Sequence, residues 1–284
     1  MSRAASPGAT GARVLRGSMV IAVAMAVMNL TTYGFTIIAA RLLGPVEYGA
    51  LAAVMGLLLV LNVLSLGLQA TGARRVAASP EDRSALQVAI MRTTYRCAAV
   101  LGVLSLLATP LVSAVLNLDS WTVAALIAVT VVPLTVMGGQ AGVLQGERRW
   151  GPLAGIYLAV GVGRIAFGAV ALLFEPSTLA AMLGVTAGAF APAIVGWWAL
   201  RRGPGTQGAR TLPPAPVSLL AETVRNSHAL LAFFALSNID VVVARSVLDE
   251  RDAGLYAGGL ILTKAVLFLP QFVVVVAFPS ISTV

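Results

Sequence analysis

Residues 17–40, GSMVIAVAMAVMNLTTYGFTIIAA, decide the fold class, because this run of 24 residues contains no Asp, Glu, Lys or Arg. A helix needs about 20 mostly apolar residues to cross a hydrocarbon core that is roughly 30 Å thick, since each residue rises about 1.5 Å. Strands of a membrane barrel would alternate in polarity over ~10 residues, whereas this run is continuously apolar. The stretch therefore predicts a transmembrane α-helix.

The composition of the whole chain agrees with this prediction. Of its 284 residues, 58% are hydrophobic and only 11% are charged, whereas charged residues make up about 25% of a typical soluble domain. The net charge of +8 would suit a nucleic-acid-binding protein, but the basic residues of membrane proteins collect in cytoplasmic loops. The single cysteine, Cys97, excludes an internal disulfide and a Cys-based metal site. Composition thus indicates an integral membrane protein and excludes a disordered chain or a nucleic-acid module.

Similar apolar runs recur along the chain and predict an all-α, polytopic membrane helix bundle with about eight transmembrane helices. Arg164 interrupts the fifth run and Lys264 the eighth, and the seventh carries Asp240 and Arg245. The predicted spans are Gly17–Ala40, Gly49–Ala73, Cys97–Leu118, Ser120–Gly146, Gly151–Phe174, Pro176–Leu200, Ser227–Leu248 and Ala253–Phe278.

The basic residues between the spans predict the orientation. Fourteen of the 19 basic residues fall on one side when the spans alternate in direction, and the loops of the other side are acidic. Because basic loops stay in the cytoplasm, we expect a multi-pass membrane protein with a cytoplasmic N-terminus. Its richness in Arg, Ala and Gly indicates a GC-rich bacterial genome, so the expected membrane is the bacterial plasma membrane. A cleaved signal peptide is the alternative for the first run, but the alternation requires that span. The fourteen are Arg3, Arg13, Arg16, Arg74, Arg75, Arg83, Arg92, Arg96, Arg148, Arg149, Arg201, Arg202, Arg210 and Arg225.

Breaks in the apolar pattern divide the chain. Leu43-Gly44-Pro45 predicts the end of the first helix, because proline cannot continue a helix and glycine tolerates the turn. Ser79 followed by Pro80 predicts a capped helix start. The stretch Arg201–Pro216 is rich in Gly, Pro, Thr and Arg, which is typical of a flexible linker. We therefore predict a six-helix lobe (residues 1–200), a cytoplasmic linker (201–226) and the first two helices of an incomplete second lobe (227–284).

A short motif occurs once before and once after the linker. Arg41 follows an alanine at the outer end of span 1, and an acidic loop and Gly49 come next. Arg245 follows an alanine at the outer end of span 7, and an acidic loop and Gly254 come next. The spacing from Arg to Gly is eight in one copy and nine in the other. The two copies indicate parallel repeats about an axis along the membrane normal, a plan that many transporters share.

At these residues the sequence resembles the bacterial polysaccharide-biosynthesis flippases of the multidrug/oligosaccharidyl-lipid/polysaccharide exporter superfamily. The likeness lies in ARLLGPVEYG (Ala40–Gly49), NIDVVVAR (Asn238–Arg245), AGLYA (Ala253–Ala257) and FLP (Phe268–Pro270). The resemblance implies two six-helix lobes around a central cavity and transport of polyprenyl-pyrophosphate-linked sugars by alternating access. Only two spans of a second lobe are present, so we expect a truncated, fragmentary or naturally short relative.

Charged residues inside the spans are the candidate transport residues. Inserting Arg164 costs about 2.5 to 3.5 kcal/mol, which the apolar residues of its span roughly offset. Its guanidinium should turn inward, either to bind substrate phosphate or to form an ion pair with another helix. Lys264 is a second candidate cavity cation. Arg41 and Arg245 are either phosphate contacts at the cavity mouth or interfacial anchors, and the resemblance favours the cavity for Arg41.

Asp240 has two readings as well. It is either a proton or sodium coupling site or a salt-bridge partner of Arg245, Lys264 or Arg164. The polar residues inside the spans, including Gln69, bond either sugar hydroxyls or a neighbouring helix. With a single histidine, no P-loop and no Asp-rich cluster, the sequence predicts neither an enzyme nor a metal or cofactor site.

Three functions remain open from the sequence. The first is a flippase for polyprenyl-pyrophosphate-linked oligosaccharides, whose partners would be the lipid-linked glycan, the bilayer, and glycan polymerases or glycosyltransferases. The second is a cation-coupled multidrug exporter of the same superfamily, which predicts an acidic cavity with Asp240 unpaired. The third is a non-transporting membrane scaffold for glycan assembly. Nucleic acid is not expected as a partner.

Overall fold

The computed structural model describes residues 7–203 and 216–263, and the structural statements that follow concern this part of the chain. These residues form helices and short connections, with no strand among them. A 3₁₀ turn, Pro80–Asp82, precedes α3, and residues 250–263 are helical. The helices are α1 (Pro7–Leu61), α2 (Val63–Ala78), α3 (Arg83–Leu107), α4 (Thr109–Val115), α5 (Trp121–Gly146), α6 (Trp150–Phe174), α7 (Thr178–Arg201), α8 (Pro216–Leu236) and α9 (Ile239–Val247).

The long first helix contains one non-helical residue, Gly44, with φ 72° and ψ 176°. A straight helix over Met19–Ala78 would be about 90 Å long, three times the hydrocarbon thickness. Only glycine adopts this backbone conformation readily, and Pro45 follows it as a residue that cannot donate to the preceding turn. The predicted helix end at Leu43-Gly44-Pro45 is therefore confirmed.

The contacts on each side of Gly44 show that the chain reverses there. The N-terminal half of α1 runs in the same direction as α6, because Gly17 lies against Trp150 and Phe35 lies against Gly168. The C-terminal half of α1, continued by α2, runs in the same direction as α5, where Ser65 donates a hydrogen bond to the Leu134 carbonyl. Since α5 and α6 are antiparallel, the two halves of α1 are two separate crossings.

Close helix contacts build the first lobe. Gly163 of α6 meets the backbone of Gly188 in α7, and Gly142 of α5 meets the backbone of Gln69 in α2. A side chain at any of these glycines would overlap a neighbouring helix. The small residues thus bring the helix backbones together, as is common in lipid.

The helix ends define two faces of the bundle. We call one the basic face, where Arg83 begins α3 next to Glu81 and Asp82, and where the connections after α5 and α7 carry Arg148, Arg149 and Arg202. We call the other the acidic face; its connections carry acidic residues, which are Glu47, Asp119, Glu175 and Asp249. The chain alternates between these faces as the sequence predicted.

Five helical stretches are long and apolar enough to cross a membrane, or six if the bent pair α8 and α9 is counted as one span. The first of the five is Met19–Ala78, which Gly44 divides into two crossings. The six predicted spans of residues 1–200 all lie mainly in helices, but the second is interrupted at Asn62 and the third, Cys97–Leu118, is divided between α3 and α4. The structure is a polytopic helical bundle as predicted. The eighth predicted span is described only as far as residue 263.

Three local features differ from the sequence predictions. Ser79 precedes a single 3₁₀ turn and its side chain makes no capping hydrogen bond. Helix α8 begins at Pro216, inside the range 201–226 that we predicted as linker, since proline at a first helical position needs no hydrogen-bond partner for its nitrogen. The predicted seventh span is not one continuous helix, because α8 and α9 meet at an angle of 44°. The centre of the predicted linker, residues 204–215, lies outside the described residues.

Candidate functional site

Arg164 lies in the interior of α6, 14 residues after its first residue and ten before its last. Its side chain is half-buried. Within residues 7–203 and 216–263 it has neither an ion pair nor a side-chain hydrogen bond. A charge at this depth without a carboxylate beside it requires water or a ligand. Arg164 is therefore the strongest candidate for a substrate contact.

Polar side chains share the face of α6 that carries Arg164. Tyr157 lies seven residues earlier, two turns along the same face. Its hydroxyl accepts a hydrogen bond of 2.8 Å from Gln69 Nε2 of α2. The same Gln69 nitrogen donates to Gln145 Oε1 of α5 at 3.0 Å. This face of α6 thus points toward α2 and α5, so Arg164 belongs to the interior of the first lobe.

These polar residues form a series that leads from the basic face toward the middle of the lobe. Gln145 is exposed and lies next to the last residue of α5 on the basic face, while Tyr157 and Gln69 are half-buried. Arg164 follows about 10 Å deeper along α6, at 1.5 Å per residue. We call Gln145, Gln69, Tyr157 and Arg164 the polar series. The prediction that Gln69 bonds a neighbouring helix is confirmed by its two contacts.

Arg245 is in a different environment, buried at the acidic face with only 2% of its surface exposed. Its Nε donates to the Leu116 carbonyl and its Nη2 to the Asn117 carbonyl, both at 3.0 Å. Nη2 also lies 3.6 Å from Glu250 Oε1. The predicted roles were a phosphate contact at a cavity mouth or an interfacial anchor. In the structure the guanidinium donates to three backbone carbonyls, the third being that of Glu250 at 3.4 Å from Nη1, and lies beside one carboxylate.

The other candidate residues are placed separately. Arg41 is exposed, one turn before Gly44 on the acidic side. Asp240 is half-buried and lies 3.4 Å from the Tyr256 hydroxyl, which donates to its Oδ2. Among the described residues Asp240 has no ion pair, with Arg164 and Arg245 included. Lys264 lies outside the described residues. Among the described residues, Arg41, Arg164 and Arg245 share no ion-pair partner.

A cavity of about 100 Å³ opens at the acidic face, at the start of α5 and α7. Its wall carries two carboxylates, Glu47 and Asp119, as well as the Arg245 guanidinium, so this cavity is not the cationic cavity that the sequence predicted. Within the described ranges no group of three or more His, Cys, Asp or Glu residues could hold a metal ion. The polar residues of its wall are Glu47, Asp119, Ser120, Ser177, Thr178 and Arg245.

Sequence reasoning missed two features next to these residues. The first is the break between α8 and α9, where Asn238 Nδ2 donates to the Phe234 carbonyl and Asn238 packs near Gly56. The polar pair Ser237-Asn238 is the signal that could have revealed it. The second is Glu222, which accepts hydrogen bonds from Arg74 and Arg75 at the basic face. Its partners are about 150 residues away in sequence, so no local pattern could reveal this contact.

Comparison with known proteins adds a family and a fold. The sequence profile of the polysaccharide biosynthesis protein family matches residues 14–284. No curated protein matches the chain.

Solved structures with similar folds are transporters of 13% to 15% sequence identity. An inward-facing multidrug resistance MATE family transporter of the MOP superfamily has a TM-score of 0.69 at 13% identity, over 85% of this chain and 58% of that one. A eukaryotic MATE transporter has a TM-score of 0.63 at 13% identity, over 90% and 62%. An outward-facing MATE family transporter has a TM-score of 0.58 at 15% identity, over 81% and 53%. The chain thus has their fold and spans less than two thirds of their length.

Proposed function

Because the chain belongs to the polysaccharide biosynthesis protein family, we propose that it takes part in moving polyprenyl-pyrophosphate-linked oligosaccharides across the bacterial plasma membrane. The substrate's diphosphate would enter the bundle while its polyprenyl tail stays in the lipid. The glycan would follow the diphosphate through a hydrated interior. The first helical unit (α1–α7) and the second helical unit (from α8 onward) would rock between openings on the two faces. The proposal assigns no bond-breaking step to this chain.

The observation that carries the proposal is Arg164, a half-buried guanidinium in the middle of a span with no carboxylate partner among the described residues. Guanidinium groups suit phosphate because two parallel N–H donors match two phosphate oxygens. Removing a diphosphate from water is costly unless a cation replaces its hydration. Arg164 would supply that charge at the depth where water is scarcest.

The polar series supports the same proposal. Gln69 uses its amide nitrogen for both Tyr157 and Gln145, so the Tyr157 hydroxyl acts as an acceptor there and keeps its own proton for a further partner. A diphosphate or sugar hydroxyl arriving from the basic face would pass these groups before it reached Arg164. Hydrogen-bonding groups along the path lower the cost of moving a polar headgroup through the lobe.

The test is a complementation assay for glycan export in cells that lack the endogenous exporter. Arg164→Ala should reduce export at least tenfold, and Arg164→Lys should retain part of it because the charge is kept without the paired donors. Arg83→Ala, an exposed arginine of the basic face, is the matched control and should export normally. Lys264→Ala tests the second predicted cation.

Three other outcomes of these experiments have different meanings. Full export by both Arg164→Ala and Lys264→Ala would remove the phosphate role. Export that fails in Arg83→Ala as strongly as in Arg164→Ala would point to a general loss of protein instead. If the Arg164→Ala variant complements export and still binds glycan-assembly enzymes, the result would favour a non-transporting membrane scaffold for glycan assembly.

One observation favours the multidrug exporter as a second candidate. Asp240 lacks an ion pair among the described residues and accepts a hydrogen bond from Tyr256 instead. A carboxylate in this state could exchange a proton or bind sodium. In a drug-efflux assay this alternative expects Asp240→Asn to abolish efflux and Arg164→Ala to spare it. The flippase proposal expects the reverse order in the glycan-export assay.

A further inference from the structure

The two copies of the repeated motif meet at the acidic face. Gly49 and Gly254 open the helices that follow the two turns, and their backbones are in contact. A Cβ atom built on Gly49 would lie 2.8 Å from Gly254 Cα, and one built on Gly254 would overlap the Pro45 carbonyl. Equivalent residues of two repeats can touch each other only near the axis that relates them. The contact between the two helical units at this face therefore lies close to the axis that relates the two copies of the motif.

Arg245 joins the same two units beside this glycine contact. It belongs to α9 of the second unit, whereas Leu116 and Asn117, whose carbonyls it bonds, belong to the connection between α4 and α5 of the first. Asn117 Nδ2 donates in return to the Arg245 carbonyl at 3.0 Å. Three hydrogen bonds thus cross between the units. We call these bonds, with the Gly49–Gly254 contact, the acidic-face seam.

The seam is dry on its inner side. Ala257, one turn after Gly254, is 3% exposed and packs in a core cluster with Leu51 and Val241. Hydrogen bonds to a charged donor are stronger than neutral ones, and burial removes the water that would replace them. Opening this face would expose Ala257 and separate the Arg245 guanidinium from the carbonyls of Leu116 and Asn117.

The contact between the two units at the basic face is of another kind. Glu222 of α8, whose side chain is only 10% exposed, accepts from Arg74 and Arg75 of α2, whose side chains are 62% and 30% exposed. Solvent-exposed ion pairs contribute little and weaken with salt. The polar series also opens toward this face. The arginines of this contact are thus reached by solvent, whereas Arg245 at the acidic face is 2% exposed.

We infer that Arg245 is the gate residue of the acidic face, which holds the two helical units closed there and must leave the Leu116 and Asn117 carbonyls whenever that face opens. The role of this gate in transport rests on the proposed function. The contacts that close the acidic face do not, because they are part of the fold. Arg245 therefore acts on the position of the units and does not contact the substrate.

Thiol labelling of purified protein in nanodiscs tests this inference without transport. Cys97 is the only cysteine of the chain, so Cys97→Ala gives a background without thiols. Ala257→Cys in that background is the reporter, and a membrane-impermeant maleimide is the probe. Arg245→Ala should raise the labelling rate of the reporter at least about tenfold, a shift of about 1.4 kcal/mol in the opening equilibrium. Asn117→Ala, which removes one bond of the seam, should raise the rate by a smaller factor.

Arg41→Ala is the matched control, because Arg41 occupies the same motif position but is exposed. It should leave the labelling rate unchanged. The inference is overturned if Arg245→Ala labels at the background rate, or if Arg41→Ala labels as fast as Arg245→Ala. A monodisperse size-exclusion profile and retained helical circular dichroism in each variant separate opening from unfolding.

A cross-link provides the converse test. The double variant Asn117→Cys with Arg245→Cys in the Cys97→Ala background replaces the seam by a bond that can be reduced. The oxidised protein should not label a third cysteine at Ala257. After reduction and removal of the reductant, the triple variant should label at one more site than the reduced double variant, which carries the thiols at 117 and 245 alone. Export activity that is lost on oxidation and returns on reduction would link the seam to transport. Normal export with the cross-link in place would disprove the gate, whereas no export by the parent would count against the proposed function alone.

Discussion

The turn after Arg41 and the turn after Arg245 have similar sequences and different environments. Both consist of an arginine at a helix end, an acidic connection and a glycine that opens the next helix. Arg41 is exposed, whereas Arg245 is 2% exposed and hydrogen-bonded to another connection. The motif places an arginine at the acidic face in both cases, but only the Arg245 copy has the carbonyls of residues 116 and 117 beside it.

The two turns also reverse the chain by different means. The first uses Gly44, whose positive φ few other residues adopt, followed by Pro45. In the second, Leu248 is extended and the Asp249 carboxylate accepts from the backbone N–H of Asp252. The comparison teaches that the repeat conserves the course of the chain and not the interactions that produce it. Four substitutions test this difference, and they follow from the largest expected effect to the smallest.

Arg245→Met should destabilise the protein by about 2 to 5 kcal/mol, because the buried Leu116 carbonyl and the partly buried Asn117 carbonyl lose a charged donor. Arg41→Met should change stability by less than about 0.5 kcal/mol, since an exposed side chain leaves no buried group unpaired. SDS titration of protein in mixed micelles measures both. Equal effects at the two positions would show that burial does not distinguish the two arginines.

Gly254→Val should cost about 1 to 3 kcal/mol, because a side chain there overlaps the Pro45 carbonyl and the two helices must separate. Gly258→Ala, one turn later, is the control: no atom lies within 4 Å of its added Cβ. The control should be neutral or slightly stabilising, since alanine favours helix over glycine. A Gly254→Val protein as stable as Gly258→Ala would refute the close contact. Thermal unfolding in detergent gives both values.

Gly44→Ala should cost about 1 to 3 kcal/mol, because its φ of 72° with ψ of 176° lies in a region open almost only to glycine. No neighbouring atom obstructs the new methyl group, so the effect would come from the backbone alone. A D-alanine introduced at position 44 by semisynthesis should restore stability. If L-alanine proves as stable as glycine, the reversal does not depend on this conformation.

Asp249→Ala should cost about 1 kcal/mol, the usual effect of losing a helix N-cap. Asp249→Asn should retain most of the stability, because the amide oxygen still accepts the bond from the Asp252 N–H. Thermal unfolding at neutral pH compares the two variants. A loss of equal size in both would assign the effect to the charge of Asp249 and not to capping.

Much of the fold was predictable because it depends on local sequence. The apolar runs fixed six crossings of residues 1–200, and Gly44-Pro45 fixed the first reversal. The lipid requirement that backbone groups be bonded within each segment leaves few alternatives to helices. The bend at Asn238 and the early start of α8 at Pro216 were missed, because apolar content does not reveal where a helix changes direction.

The candidate site was predictable only in part. Arg164 was found because a charge inside an apolar run is visible in the sequence. Its neighbours Tyr157, Gln69 and Gln145 come from three different helices, so their assembly depends on how those helices pack. From the sequence, Arg245 and Arg164 were both candidate substrate contacts. In the structure Arg245 is bonded at the acidic face, whereas Arg164 lies in the interior of α6 with no ion pair among the described residues.

The sequence by itself determined that this chain is a helical membrane protein, how often its first 200 residues cross, and which charges lie inside the spans. These properties follow from hydropathy and length, which each segment carries alone. Only the tertiary structure decided that Arg245 is bonded to carbonyls of the α4–α5 connection, while Arg164 has no such partner within residues 7–203 and 216–263. That difference depends on contacts between segments more than 100 residues apart, and such contacts form only when the helices pack.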